Sequence, residues 1–294
     1  AALSARIRKE KDPVLLLDSG DMFQGTPEGI LTRGLASVEL MNALGYAATV
    51  PGNHEYDYGE GTLKVIASSA AFPVLGAHVF IKGTGTTPPY LKPYTVAERG
   101  GKRIAVLGLA GRHTATSTLP QNVAALDFRD EAAEAARWLA EIRRSSPSAV
   151  VLLTHLGLDE RLSLGRLDIS TWTFAEAPPG TLRVARDAPG FDLVLGGHNH
   201  TALLRGYRDP VSGAVFGESG YGLSYTTRVE LDFDGTTGEL KDVTAELVPL
   251  WTDETGEDPA VLKLLAGFRA EVERGMSRVL GRAAEDLPQD PGWL

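Results

Sequence analysis

The chain has 294 residues, 43% of them hydrophobic and 23% charged, so it can bury a large core and is neither disordered nor collagen-like in composition. Its 29 Lys and Arg against 38 Asp and Glu leave a net charge of −9, which opposes the counterion release behind most nucleic-acid binding; no nucleic-acid partner is expected. With no cysteine, disulfides, thiolate metal sites and Cys nucleophiles are excluded.

Ala1 to Lys11, with Leu3 and Ile7 four apart, reads as the end of an amphipathic helix. Val14 to Asp18 follows as a buried strand. The spacing then predicts a helix over Leu35 to Leu44 stopped by Gly45, a short strand over Ala47 to Val50, a helix over Gly61 to Ala70 and an extended Val74 to Ala77. A Gly/Thr/Pro loop runs from Lys82 to Pro89. Ile104 to Leu109 and Ala149 to Thr154 are predicted strands flanking a helix over Asp130 to Arg144, the alternation of an α/β fold. Leu158 to Pro189 reads as a long surface loop in which Trp172 and Phe174 cover an apolar patch. Leu193 to Leu195 is a strand, and Leu203 to Tyr207, Ala214 to Gly217, Tyr225 to Phe233 and Asp242 to Val248 look antiparallel, with a turn at Asp234-Gly235. Pro259 to Ser277 is a helix with Val261, Leu264, Leu265, Phe268 and Val272 at core spacing, and Ala283 to Leu294 is weakly patterned. The longest apolar runs, such as Val14 to Leu17, fall far short of the roughly 20 residues that cross a bilayer, so no membrane span is expected.

Chemistry gathers at four strand ends. They read Leu17-Asp18-Ser19-Gly20-Asp21, Val50-Pro51-Gly52-Asn53-His54-Glu55, Leu153-Thr154-His155-Leu156-Gly157 and Leu195-Gly196-Gly197-His198-Asn199-His200. A sheet fixes geometry and the loop after each strand exposes it, which is where α/β proteins place ligand sites. Carboxylate, amide oxygen and imidazole together suit a divalent metal, with Zn, Mn, Fe and Ni not distinguished. Such ions would let an acidic chain accept an anionic substrate. A locally extended His198-x-His200 would put both rings on one side. His78 and His113 lie outside these blocks and are expected to be solvated or capping. Asp18 is expected to support its turn through hydrogen bonds.

The four blocks stand in the order found in calcineurin-like metallophosphoesterases, and Gly52-Asn53-His54-Glu55-Tyr56-Asp57-Tyr58-Gly59 resembles the 5′-nucleotidase and UDP-sugar hydrolase branch. The resemblance extends over nearly the whole chain. It implies a four-layer α/β/β/α sandwich with the site at the strand ends. It implies two divalent metals, with Asp21 bridging them, Asn53, His155 and His198 completing the second site, and His200 joining Asp21 at the first. A metal-held hydroxide would attack phosphorus in line, His54 would assist the leaving oxygen, and Asp57 would hold His54 by a hydrogen bond. The implied substrate is a small phosphate ester, a nucleotide above all, and the implied location is periplasmic or extracellular.

In that family a strand ending in Asp-x-His precedes the helix that Ala1 to Lys11 resembles. Without it, the fold is expected to lack its first strand and leave a sheet position with unpaired backbone. The first metal site would keep only Asp21 and His200, so this chain alone would bind one metal better than the other. Residues 1–255 read as the metallophosphatase domain and 256–294 as a helical linker toward a C-terminal substrate domain. The alternatives are a cyclic-nucleotide phosphodiesterase or broad phosphomonoesterase on the same site, and a catalytically weak binding domain.

Overall fold

The strand Ala149–Thr154 is apolar on both faces because both are covered. Val150 and Leu152 pack with Ala135, Leu139 and Ile142 of the helix Glu131–Arg144, while Ala149, Val151 and Leu153 enter a second cluster between two layers of sheet. The strand Lys102–Leu109 alternates in the same way, with Ala105 and Leu107 toward the helix and Ile104 and Val106 toward the other sheet. The helix itself starts where Asp130 caps the Ala133 N–H at 2.9 Å, and its buried Ala135, Leu139 and Ile142 are spaced by three and four.

This computed structural model describes residues 1–163 and 165–282; the end from Ala283 to Leu294 lies outside the described residues. Its main sheet has six strands in the order Tyr207–Arg208, Val215–Glu218, Leu193–Gly196, Ala149–Thr154, Lys102–Leu109 and Tyr94–Arg99. The inner four are parallel and the two edges antiparallel. A parallel sheet brings the C-terminal ends of its strands to one edge, and that edge carries the polar loops. Over its second face lie the parallel pair Leu16–Asp18 with Tyr46–Thr49 and the antiparallel pair Tyr225–Phe233 with Leu240–Pro249, which share one core through Leu17, Ala48, Val229 and Val243. Among the described residues the first of these strands is laddered only to Tyr46–Thr49, and Tyr225–Phe233 only to Leu240–Pro249. Beyond them, Val38, Leu63 and Ile66 of the helices Leu35–Leu44 and Glu60–Ser69 pack with Phe23, Tyr56 and Val74. The layers are therefore helix, sheet, sheet, helix, the four-layer α/β order that the resemblance implies.

Four sequence expectations change. Leu158 to Pro189 is not a surface loop: Leu158, Ile169, Leu182 and Ala185 are in the core, and the segment contains the strand Arg166–Leu167 and the helix Thr181–Asp187. That helix spans two turns and has no side-chain cap, so its sequence signal is weak. Phe174 packs edge-on against buried Tyr207, as a patch-covering residue should, while Trp172 stays exposed. Val215–Glu218 pairs parallel to Leu193–Gly196 on one side, so the second half is not purely antiparallel. Leu203 to Tyr207 is broken, with Ala202–Leu203 pairing parallel to Arg166–Leu167 and Tyr207–Arg208 joining the main sheet. In the helix Pro259–Met276 only Val261 is buried, and the other expected core residues are half-covered against the helices Pro27–Leu31 and Leu35–Leu44. Its cap, Asp258, accepts from Ser4 Oγ at 2.5 Å and pairs with Arg8 at 2.6 Å, which ties it to the N-terminal helix Ala2–Ile7. Among the described residues no helix is long and apolar enough to cross a membrane.

Candidate metal centre

Each expected site residue follows a strand of the same polarity, so the sheets deliver them to one edge. Asp21 sits in the loop after Leu16–Asp18 with φ 59°, a left-handed conformation that Asp tolerates better than most residues. Asp18 holds that turn, accepting from Gly20 N at 3.2 Å and Thr49 Oγ1 at 3.4 Å. Burial pushes the Asp18 carboxyl up to about 6.

Asn53 and His54 follow Tyr46–Thr49. Glu55 next to them is fully buried and accepts three backbone N–H groups, those of Asp21 at 2.8 Å, Met22 at 2.9 Å and Gly52 at 2.6 Å. One carboxylate therefore clips the Asp21 loop to the Asn53 loop. Asp21 Oδ1 in turn accepts the His54 N–H at 3.0 Å.

His155 is buried beneath them. Its Nδ1 is 2.6 Å from the Ser19 carbonyl, which fixes a proton on Nδ1 and leaves Nε2, 3.0 Å from Asp21 Oδ2, as the atom that could ligate an ion. Burial alone would lower this imidazole, but the Asp21 carboxylate outweighs it and draws it up. Asp21 is held down by the same contact against its own burial. The His198 ring lies edge-on to His155, with centroids 5.1 Å apart, and burial beside that imidazole lowers it to about 4.

His198 and His200 are both left-handed, with φ 70° for His198 and 61° for His200, so the extended chain that would align their rings does not form. His200 is exposed and stacks on exposed Tyr221 at 4.9 Å. Between them Asn199 Nδ2 donates to the carbonyls of Asp159 and Leu162, both at 2.8 Å.

His54 and Asp57 are paired, with Nδ1 2.7 Å from Oδ2. Asp57 also accepts from Gln24 Nε2 at 3.0 Å, and the next helix starts at Gly59 without a side-chain cap, so Asp57 does not serve as its cap.

Two histidines differ from expectation. His78 is fully buried against Phe128, its nitrogens unpartnered, and burial lowers it to about 3. His113 is neither solvated nor a side-chain cap: its ring stacks on His198 with centroids 3.7 Å apart, and burial with the neighbouring imidazoles lowers it to about 3. The sequence signal was available, since His113 follows Lys102–Leu109 and that strand adjoins the one ending at His155. It is a fifth strand end of the kind that singled out the other four.

The donor set fits a divalent cation. Asn53 Oδ1 is buried without a hydrogen-bond partner, a costly state for a polar atom unless something polar meets it, and His155 Nε2 meets only the Asp21 carboxylate. One ring nitrogen each from His113, His155 and His198 lies within 4.8 Å of the others. A cavity of about 460 Å³ reaches His113, His198, Asn199 and His200.

The sequence profile of calcineurin-like phosphoesterases matches residues 1–202. The chain belongs to that family. As a calcineurin-like phosphoesterase it is 27% identical over 312 residues to protein UshA of Yersinia enterocolitica, covering 94% of this chain and 54% of that one. It is 27% identical over 322 residues to a 5′-nucleotidase of Vibrio cholerae, covering 98% of this chain and 56% of the relative. The crystal structure of a 5′-nucleotidase precursor from Thermus thermophilus superposes with a TM-score of 0.75 at 25% identity, over 95% of this chain and 54% of the other. The chain thus spans about half the length of the curated relatives it matches.

Proposed function

We propose that this chain hydrolyses phosphate monoesters of nucleotides, as the phosphatase domain of a 5′-nucleotidase-like enzyme. The observation that carries this reading is that Asp21 meets His155, His198 packs on His155 and Asn53 Oδ1 is buried without a partner, beside the His54–Asp57 pair. The names of the relatives support the substrate class. Asp21, Asn53, His155 and His198 would hold one divalent ion, and Asp21 with His200 would contribute to a second. When bound, such ions supply positive charge to the phosphoryl oxygens and acidify water at neutral pH.

The rest is done by the protein's own groups. With Nδ1 engaged by Asp57, His54 presents Nε2 as its free ring atom, and the Asp21 carboxylate holds the His54 backbone N–H. His54 Nε2 donates a hydrogen bond to the phosphoryl group as charge builds on it and delivers a proton to the departing oxygen. Asp57 fixes the ring orientation. Exposed Tyr221, stacked on His200, would offer its ring to a leaving group held beside His200. By the same likeness, the protein works outside the cytoplasm and its remaining substrate contacts come from a further domain joined through Pro259–Met276.

The test combines metal content after dialysis with hydrolysis of p-nitrophenyl phosphate and 5′-AMP in manganese. Turnover that disappears in His54→Ala while bound metal is retained supports the reading. No turnover on any ester, with at most one ion bound, leaves a binding domain instead.

A further inference from the structure

His113 lies outside every motif that marks the family, yet it reaches the centre of the site. Its ring stacks on His198 at 3.7 Å and lies 5.9 Å from His155, and a ring nitrogen of each of the three falls within 4.8 Å of the others. Both His113 nitrogens are buried and neither has a hydrogen-bond partner. The approach is made possible by Gly111, φ +95°, where a Cβ would meet His113 Cε1 at 2.5 Å and Nδ1 at 2.8 Å. One cation bound by the three neighbouring ring nitrogens would give a buried His113 nitrogen the partner that the protein does not supply.

We infer that His113 is a direct protein ligand of the ion held by His155 and His198, which makes this centre richer in imidazole than the four strand-end motifs provide. The inference rests on the proposed metal role of Asp21, Asn53, His155 and His198. A third imidazole shifts preference toward borderline ions such as zinc, cobalt and nickel, and away from magnesium and manganese, which favour oxygen.

The test uses the full chain, stripped of metal by chelator dialysis and labelled with ¹⁵N-histidine. On zinc addition the ring nitrogens of His113, assigned through the backbone of Gly111-Arg112-His113, should shift together with those of His155 and His198. In competition with a chromophoric chelator, His113→Gln should bind zinc at least about tenfold more weakly, since even groups that only support a ligand contribute that much. Its manganese affinity should change by less than about threefold, so that zinc-over-manganese selectivity falls. Unmoved His113 signals while His155 and His198 shift would overturn the inference, as would unchanged zinc affinity in folded His113→Gln. If zinc binding also survives His155→Ala, the failure belongs to the metal reading as a whole. Should His113→Gln not fold, the wild-type spectra alone decide.

Discussion

His54 Nδ1 lies 2.7 Å from Asp57 Oδ2, and Gln24 Nε2, 3.0 Å from the same oxygen, fixes the acid from its other side. The three residues come from two loops, which is how an imidazole is kept in one orientation. Removing the ring in His54→Ala should lower kcat by about 10²–10⁴-fold, the range of a lost proton donor. Asp57→Asn keeps the shape and a hydrogen bond but loses the charge, and should lower kcat about tenfold with KM nearly unchanged. Steady-state kinetics on p-nitrophenyl phosphate decide; a rise in KM without a fall in kcat would place Asp57 in substrate binding instead.

Glu55 is the clip between the Asp21 and Asn53 loops, with Oε1 accepting from Met22 N and Oε2 from Asp21 N and Gly52 N. In Glu55→Gln an amide nitrogen must face one of these N–H donors. A buried donor left without an acceptor costs about 1–3 kcal/mol, and the two loops should loosen with it. The expected result is a lower melting temperature together with weaker metal binding, although no ligand has changed. Wild-type metal affinity in a destabilised Glu55→Gln would show that the clip serves the fold alone.

The sequence made the site legible through strand ends because apolar runs such as Val150 to Leu153 mark a two-sided buried strand unambiguously. The loop after each such strand must then lie at one edge of a parallel sheet. The ring orientations were not legible, since the left-handed φ of His198 and His200 belongs to a loop that Asn199 ties to the carbonyls of Asp159 and Leu162, a tertiary fact. The helix Thr181–Asp187 was hidden for a related reason. Its anchors are remote: Arg186 donates to Asp209 at 2.7 Å and to the Phe174 carbonyl at 3.0 Å.

That Arg186–Asp209 pair predicts a stability defect. Asp209 is fully buried and also accepts from Ser212 N and Oγ at 2.8 Å. Burial alone would raise its carboxyl, but Arg186 and Ser212 hold it down at about 2. A depressed carboxyl contributes stability above its ordinary value near 3.8, and that contribution is lost as pH falls through about 2. Arg186→Met leaves Asp209 buried and uncompensated, at a cost of about 3–5 kcal/mol. Urea unfolding at pH 7 measures this; a loss below about 1 kcal/mol would mean that water replaces the guanidinium.

Glu218 titrates in the opposite sense. Buried at the end of Val215–Glu218 with the Leu158 N–H as its donor, its carboxyl is pushed up by desolvation to about 8. A carboxyl raised in the folded state favours folding below its ordinary value, and that advantage is lost as pH rises toward about 8. The melting temperature of the metal-free protein should therefore fall as pH rises from the ordinary carboxyl value near 4.5 to about 8, and Glu218→Gln should flatten that slope. Identical slopes in wild type and variant over that range would mean that another group controls it.

Asn199 lies between the two histidines and anchors their loop. Its Nδ2 holds the Asp159 and Leu162 carbonyls at 2.8 Å each, and its amide lies where a Cβ at Gly157 would be. Asn199→Ala frees both carbonyls, costing about 1–2 kcal/mol, and removes the contact that anchors the loop of His198 and His200. Because His198 is the proposed ligand and stacks on His113, zinc affinity should drop about tenfold, as for loss of a ligand's support. Gly157→Ala should do the same from the opposite wall by driving the Asn199 amide out of its place. Chelator competition and thermal melting separate the outcomes. If melting falls while zinc affinity is kept, the loop geometry matters to the fold and not to the metal.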